Sequence, residues 1–390
     1  MKLFKSLLVA PATLGLLAPM SVTANELNIA EVSSYSSSEE VQNISEFNSK
    51  KLAITNSRVD GLEARMNNYE AGSFSETTTA SFSAEMYLGS VDGGTSATTN
   101  PVMAGYGFQI DLNSSFTGED SLDISIDAGN SGTASIVEFG GNSSGDTLTV
   151  DGVSYSFPLG DSLTVMVGDN TDGSALFTTA CAYGGPGDTL DDCGNVNAGI
   201  TNGGYMVGAA YDFGNGFTVA AGLAGDESQV LTDEKGDDYA VNAAYTGDNY
   251  GVSLTVAAVE SDSATAGQID HYKDSYYALN AYYSFDNFSI SGGYEIGDDG
   301  SADIDDGLDS LTSYFLGVTF DEVGPGSAGI AMGTKTPTVE DSDDQIMYEA
   351  YYSYPVNDGM TITPLVFSKE NSAAGTDSET GLMVKTAFSF

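Results

Sequence analysis

The sequence predicts an all-β protein: an antiparallel transmembrane β-barrel of about sixteen strands, preceded by a short N-terminal coiled-coil helix. Three observations lead there. From residue 74 onward, apolar or aromatic residues alternate with small or polar ones at a period of two. The links between these runs are by turns tight Gly/Asn/Asp turns and long acidic stretches, the pattern of antiparallel hairpins. Beyond residue 24 nothing reaches the run of about 20 apolar residues that a membrane-spanning helix needs, so any spanning must be done by strands.

Residues 1–24 read as a secretory signal. Lys2 and Lys5 form its positive end, residues 7–17 its apolar stretch, and Val22-Thr23-Ala24 a small-residue cleavage site. Residues 25–50 are Ser-rich and acidic and read as a linker. In residues 51–73 a seven-residue pattern places Leu52, Val59 and Met66 at one position and Thr55, Leu62 and Tyr69 at the other. A helix over the patterned stretch 52–69, about 27 Å at about 1.5 Å per residue, is marginal alone and needs identical neighbours or a docking surface.

The barrel is expected over residues 74–390. Tyr239-Ala240-Val241-Asn242-Ala243-Ala244-Tyr245 and Tyr250-Gly251-Val252-Ser253-Leu254-Thr255-Val256, joined by Thr246-Gly247-Asp248-Asn249, give the clearest hairpin. The unit recurs around Gly214-Asn215-Gly216 and around Asp286-Asn287. Strands are placed near 74–88, 102–113, 120–128, 147–157, 162–168, 203–213, 216–224, 238–246, 249–259, 275–285, 287–297, 311–321, 327–335, 345–354, 359–368 and 380–390. In the fourth, Leu148 and Val150 are out of phase with Val153, Tyr155 and Phe157, which a bulge near Gly152 would reconcile. The apolar set Tyr205, Val207, Tyr211, Tyr239, Val241, Tyr245, Leu279, Tyr283 and Phe285 should face outward. Aromatic residues at its ends suit the interfacial girdles of a lipid-facing wall. Such a sheet must also close on itself, because unpaired edge groups in hydrocarbon cost several kcal/mol each.

With 11 Lys+Arg against 56 Asp+Glu the formal charge is −45, which excludes nucleic acid as a partner. A single histidine, His271, read as a loop residue, and no serine-nucleophile motif leave no basis for an enzyme, and no cofactor or metal site is expected. The acidic runs at 298–299, 303–307 and 341–344 lack the full spacing of a calcium loop. They read as solvated surface loops able to meet lipid head groups through divalent cations. Cys181 and Cys193 would be joined in an oxidising compartment.

The chain ends Leu382-Met383-Val384-Lys385-Thr386-Ala387-Phe388-Ser389-Phe390, which resembles the terminal signal by which bacterial outer-membrane barrels are recognised for insertion, carried by Phe388 and Phe390. At the junction of helix and barrel, residues 56–65 (NSRVDGLEAR) followed by Phe74-Ser75-Glu76-Thr77-Thr78 resemble the cyanobacterial outer-membrane porins, and residues 155–161 (YSFPLGD) fit as well. The opening residues 32–47 are similar to the segment preceding that family's surface-layer-homology domain, but here the domain is missing, as in the short form of marine picocyanobacteria. The resemblance implies a homotrimeric sixteen-stranded porin of the outer membrane, in contact with its lipids and lipopolysaccharide and passing small hydrophilic solutes. Without the wall-binding domain no peptidoglycan tether is expected.

The longest link, residues 169–202, is uncommonly long for a structureless connection and so reads as functional. The resemblance makes it the third surface loop, folded into the barrel, with Asp169, Asp172, Asp188, Asp191 and Asp192 at the constriction. Strand parity points Glu85, Asp111, Asp123, Asp127, Glu295 and Glu349 into the pore, opposed mainly by Lys385 and Lys335. After Met66 there are five lysines and no arginine, so the ring of bases used by anion-selective pores cannot be built. The expected function is a passive, weakly cation-selective channel. The alternatives are a structural barrel that organises the envelope without conducting, or a more selective pore for iron or carbohydrate.

Overall fold

The computed structural model describes residues 77–93, 102–131, 137–201, 204–232, 236–265, 268–298, 310–339, 343–370 and 377–389. The expected signal, linker and coiled-coil helix, and Phe390, lie outside them.

Sixteen strands run in chain order: β1 (Thr78–Asp92), β2 (Met103–Ser114), β3 (Ser121–Gly129), β4 (Thr149–Leu159), β5 (Leu163–Asp169), β6 (Tyr205–Asp212), β7 (Phe217–Gly225) and β8 (Asp237–Thr246), then β9 (Tyr250–Thr265), β10 (Gln268–Ser284), β11 (Phe288–Asp298), β12 (Leu311–Val323), β13 (Gly326–Thr334), β14 (Ile346–Asn357), β15 (Met360–Lys369) and β16 (Glu379–Ser389). A two-residue segment, Thr338–Val339, continues the ladder of β13 on β12 past Pro337, whose ring nitrogen has no hydrogen to donate. Each strand pairs antiparallel with its neighbours in sequence. The last closes on the first, from Ser83 opposite Ser389 to Asp92 opposite Thr380. Phe388 sits in that seam, opposite Ala84 of β1 and Met360 of β15. Closure pairs the backbone groups that would otherwise be left on open edges.

One end of the barrel carries tight turns whose chemistry is written locally. In the β6–β7 turn Asp212 accepts a hydrogen bond from the Gly214 amide at 2.8 Å, and Gly216 has φ +86°. A Cβ on Gly216 would lie 2.3 Å from the Thr246 carbonyl, so only glycine fits.

One departure from the sequence reading and one irregularity it expected, the bulge near Gly152, have physical causes. The β9–β10 hairpin is longer than expected, and His271, read as a loop residue, is in β10 opposite Asp262. Its added rungs, 260–265 and 268–274, hold only Ala264, Ile269 and Tyr272 among polar residues, so no sustained apolar alternation announces them. In β4 the register shifts so that Ser125 faces Gly152 while Ile126 faces Val150, leaving Asp151 as the extra residue of a bulge.

The alternation sorts side chains by face. Val241, Leu279 and Leu254 are about half exposed on the outside, at 50%, 52% and 48%. Eight of the nine residues expected there are exposed; Tyr205 is only half-buried and bonds Asp237 at 2.6 Å. Aromatic rings cluster at the tight-turn end: Tyr211 on Phe213, Tyr245 on Tyr250 and Phe285 on Phe288, with centroids 4.7, 5.5 and 4.5 Å apart. In Tyr239-Val241-Ala243-Tyr245 tyrosines bracket the aliphatic centre of one outward row. An apolar band between aromatic rims matches the hydrocarbon slab and its two interfaces.

Candidate functional site

The interior is occupied by the link between β5 and β6, described over residues 170–201 and called L3 below. A loop that leaves water must find partners for its amides and carbonyls. The inward polar residues of the wall supply them. On the outgoing limb the amides of Thr178, Ala180 and Ala182 donate to Asn242 of β8, Ser253 of β9 and Ser291 of β11 at 3.1, 2.9 and 2.8 Å. The Tyr183 hydroxyl then donates to Glu349 of β14 at 2.5 Å. On the return limb Asn280 donates to the Cys193 carbonyl at 2.8 Å and Ser313 to the Gly194 carbonyl at 3.0 Å. Glu295 of β11 accepts the amides of Asn197 and Ala198 at 2.9 and 2.8 Å and the Asn197 side-chain amide at 2.8 Å.

Apolar packing seats the same loop. Phe177, Ala198 and Ile200 lie on Ala220, Ala240, Ala257 and Ala278 of β7 to β10, where small side chains leave room for a second layer. Leu190 and Cys193 pack on Phe315, Met347, Leu365, Phe367 and Met383 of β12 to β16. Cys181 and Cys193 are joined in a disulfide, with Cα atoms 6.4 Å apart, which staples the two limbs. Because each limb also has its own wall partners, reduction should leave amide protection in residues 178–198 nearly unchanged in a hydrogen-exchange measurement. Rapid exchange over the whole loop after reduction would show that the bridge, not the wall, seats it.

This layer corrects the expected lining. Glu295 and Glu349 point inward but are only 1% and 4% exposed, so L3 covers them and they hold the loop instead of facing open lumen. Lys335 lies just past β13, with its ammonium 3.5 Å from the Glu370 carbonyl. Lys385 is paired with Glu85 at 3.3 Å.

Other carboxylates stay open. Asp169, at the end of β5, and Asp172, Asp188, Asp191 and Asp192 of L3 are exposed. Asp192 is pushed up to about 7 by burial and then by Asp191, Asp188, Glu295 and Asp172 around it. Asp191 is pushed up to about 6 by burial and by Asp188. Both keep contact with water while protein surrounds them, as the free edge of a loop inside a barrel must. On the wall, Asp111 accepts from Gln109 at 2.6 Å and Ser125 at 2.7 Å, and Asp123 from Ser121 at 2.8 Å. Asp127, buried, accepts from Thr149 at 2.6 Å and from Asn142. A cavity of about 460 Å³ beside it is lined by Asp127, Asn142, Thr149, Asp151 and Asn170. A second, of about 360 Å³, is reached by Glu85, Gln109, Asp127 and Asp151. Among the described residues no group of His, Cys, Asp or Glu has the geometry to hold a metal.

Sequence reasoning missed Asp151, because the bulge breaks the parity on which the reading rests. It also missed Glu138 and Lys369, an ion pair buried between a loop and β15. The signal available for Lys369 was its scarcity, as one of five lysines after Met66.

Residues 215–373 match the sequence profile of a family described as Gram-negative porin. No curated protein matches the chain. Solved structures with a similar fold include OprB of Pseudomonas putida, at 11% identity over 80% of this chain and 94% of that one, with a TM-score of 0.61. An anion-selective porin from Comamonas acidovorans is 17% identical over 80% and 99%, with a TM-score of 0.58. A loop-deletion mutant of OmpT, an outer membrane protein of Vibrio cholerae, is 12% identical over 81% and 100%, with a TM-score of 0.55.

Proposed function

We propose that the protein is an outer-membrane porin, a water-filled channel for passive diffusion of ions and small hydrophilic solutes, with a weak preference for cations. One observation carries the reading: inside a closed barrel with an apolar exterior, Asp172, Asp188, Asp191 and Asp192 of L3 stay exposed, and Asp172 stands close enough to act on Asp151 of a wall that also bears Asp111 and Asp127. Little base opposes them. Of the four lysines among the described residues, Lys273, Lys369 and Lys385 are each paired with a glutamate. Cation preference rests on these near charges, since remote loop charges are screened beyond about 8 Å at physiological salt.

The reading includes export by the signal ending at Ala24, a homotrimer, a coiled-coil helix over 51–73 and kinship with the cyanobacterial porins, each supported by the sequence features above. The anion selectivity stated for the Comamonas protein does not transfer, because identity at 17% speaks for the fold alone. Purified protein in a planar bilayer should give discrete conductance steps, with a reversal potential in a potassium chloride gradient displaced toward potassium. Insertion without conductance would favour the structural barrel, and displacement toward chloride would overturn the selectivity.

A further inference from the structure

A second loop enters the interior. The link between β3 and β4, described over residues 130–131 and 137–148 and called L2 below, carries a helical turn, Val137–Phe139. Phe139, 5% exposed, packs with Tyr87 of β1 at a ring distance of 5.6 Å and shares a cluster with Leu190, Phe367 and Met383. Glu138 is 2% exposed, and one of its carboxylate oxygens accepts both the Thr189 hydroxyl of L3 at 2.8 Å and the ammonium of Lys369 on β15. L2 is pressed into place on both sides: a Cβ on Gly141 would meet the Tyr87 hydroxyl at 2.5 Å, and one on Gly140 would stand 3.6 Å from the Asp188 Cβ.

From these contacts we propose that L2 is a second constriction loop and that Glu138 is its positioning residue, latching the tip of L3 to the wall at Lys369 so that Asp188, Asp191 and Asp192 stay at the aperture. The physical reason is the burial of the pair. A buried carboxylate with its ammonium and a hydroxyl around it has one low-energy arrangement, and neutralising it leaves an uncompensated buried lysine that must find water. The tip of L3 then loses its only charged anchor outside L3's own segment among the described contacts. The inference rests on the porin reading for its consequence in conduction, but not for its geometry.

Two experiments test it. E138Q should raise single-channel conductance by about twofold, add transitions between levels and lower the potassium-over-chloride ratio, since a pore's selectivity follows the charges held at its narrowest point. The barrel itself should stay folded by unheated electrophoretic mobility. If E138Q fails that check, T189V, which removes only the L3 side of the latch, should shift conductance in the same direction by less. Independently, G140C/D188C should form a second disulfide, because the Cβ separation lies within the bonding range of about 3.5–4.5 Å. Crosslinking E138Q through that pair should return conductance to that of the crosslinked parent. Unchanged conductance and selectivity in folded E138Q or T189V would overturn the latch, as would failure of the engineered pair to crosslink. A wild-type protein that does not conduct would instead sink the porin reading while leaving the crosslink to judge the loop contact.

Discussion

Replacing Glu295 by alanine should free the return limb of L3 while leaving the barrel closed. Three donors of Asn197 and Ala198 end on this one carboxylate, which is 1% exposed. Bonds to a charged acceptor contribute about 1.5–3 kcal/mol each, and the bared amides would remain under the loop without partners. Even a loss of about 3 kcal/mol raises local opening by roughly a hundredfold, so amides over 195–200 should exchange about that much faster. In the proposed channel the same change should enlarge conductance and add noise, because the freed limb sweeps the lumen. E295Q should lie between the two: it keeps the shape but turns one acceptor into an NH₂ facing backbone donors. Exchange over 195–200 equal to wild type in E295A would show that Glu295 does not seat the limb and that the packing of Phe177, Ala198 and Ile200, with the bonds from Asn280 and Ser313, suffices.

Cation preference should fall as the solution is acidified from pH 8 to pH 5. A carboxyl carries its charge only above its pKa; with Asp192 raised to about 7 and Asp191 to about 6, these two groups add two negative charges to the tip of L3 at pH 8 and lose both on the way down. Burial comes first among the causes, and neighbouring carboxylates second, so the charged form is disfavoured by desolvation and by repulsion together. The stability sign is opposite to that of ordinary acid denaturation. The seated loop gains from protonation of these two groups below their folded values, and that gain disappears as pH rises through them. At about 8 Å in water one charge changes the local concentration of a monovalent cation by roughly two- to threefold, so the permeability ratio should drop by a factor of that order per lost charge. D191N/D192N should be low at every pH and nearly flat across this range. A wild-type ratio that holds steady between pH 8 and pH 5 would place both residues away from the ion path.

Much of the barrel was legible because its two solvents are so different. A wall with an apolar exterior and a polar interior must alternate at every residue, so Tyr239-Val241-Ala243-Tyr245 and its partner row at 250–256 declared their strands, their turn and their outward side. Where the sequence loses its apolar alternation, as in 260–265 and 268–274, the period-two signal stops although the ladder continues, which is why a strand containing His271 reads as a loop in the sequence. Where one residue is inserted, as at Asp151, the parity inverts and an inward carboxylate is lost from view.

The site was legible as a list of acids but not as an arrangement. Alternation tells which way Glu295 and Glu349 point, and it cannot tell that a loop more than 90 residues away in sequence will cover them. The sequence by itself determined the period, the number and order of the strands, the acidic balance and the existence of one long link, because each is a local or compositional property. Tertiary structure decided which inward polar groups meet water and which meet L3, that L2 also turns inward, and that Glu138 finds Lys369 across 231 positions. Those outcomes depend on which backbone groups remain unpaired once the barrel has closed, and closure is a property of the whole ring.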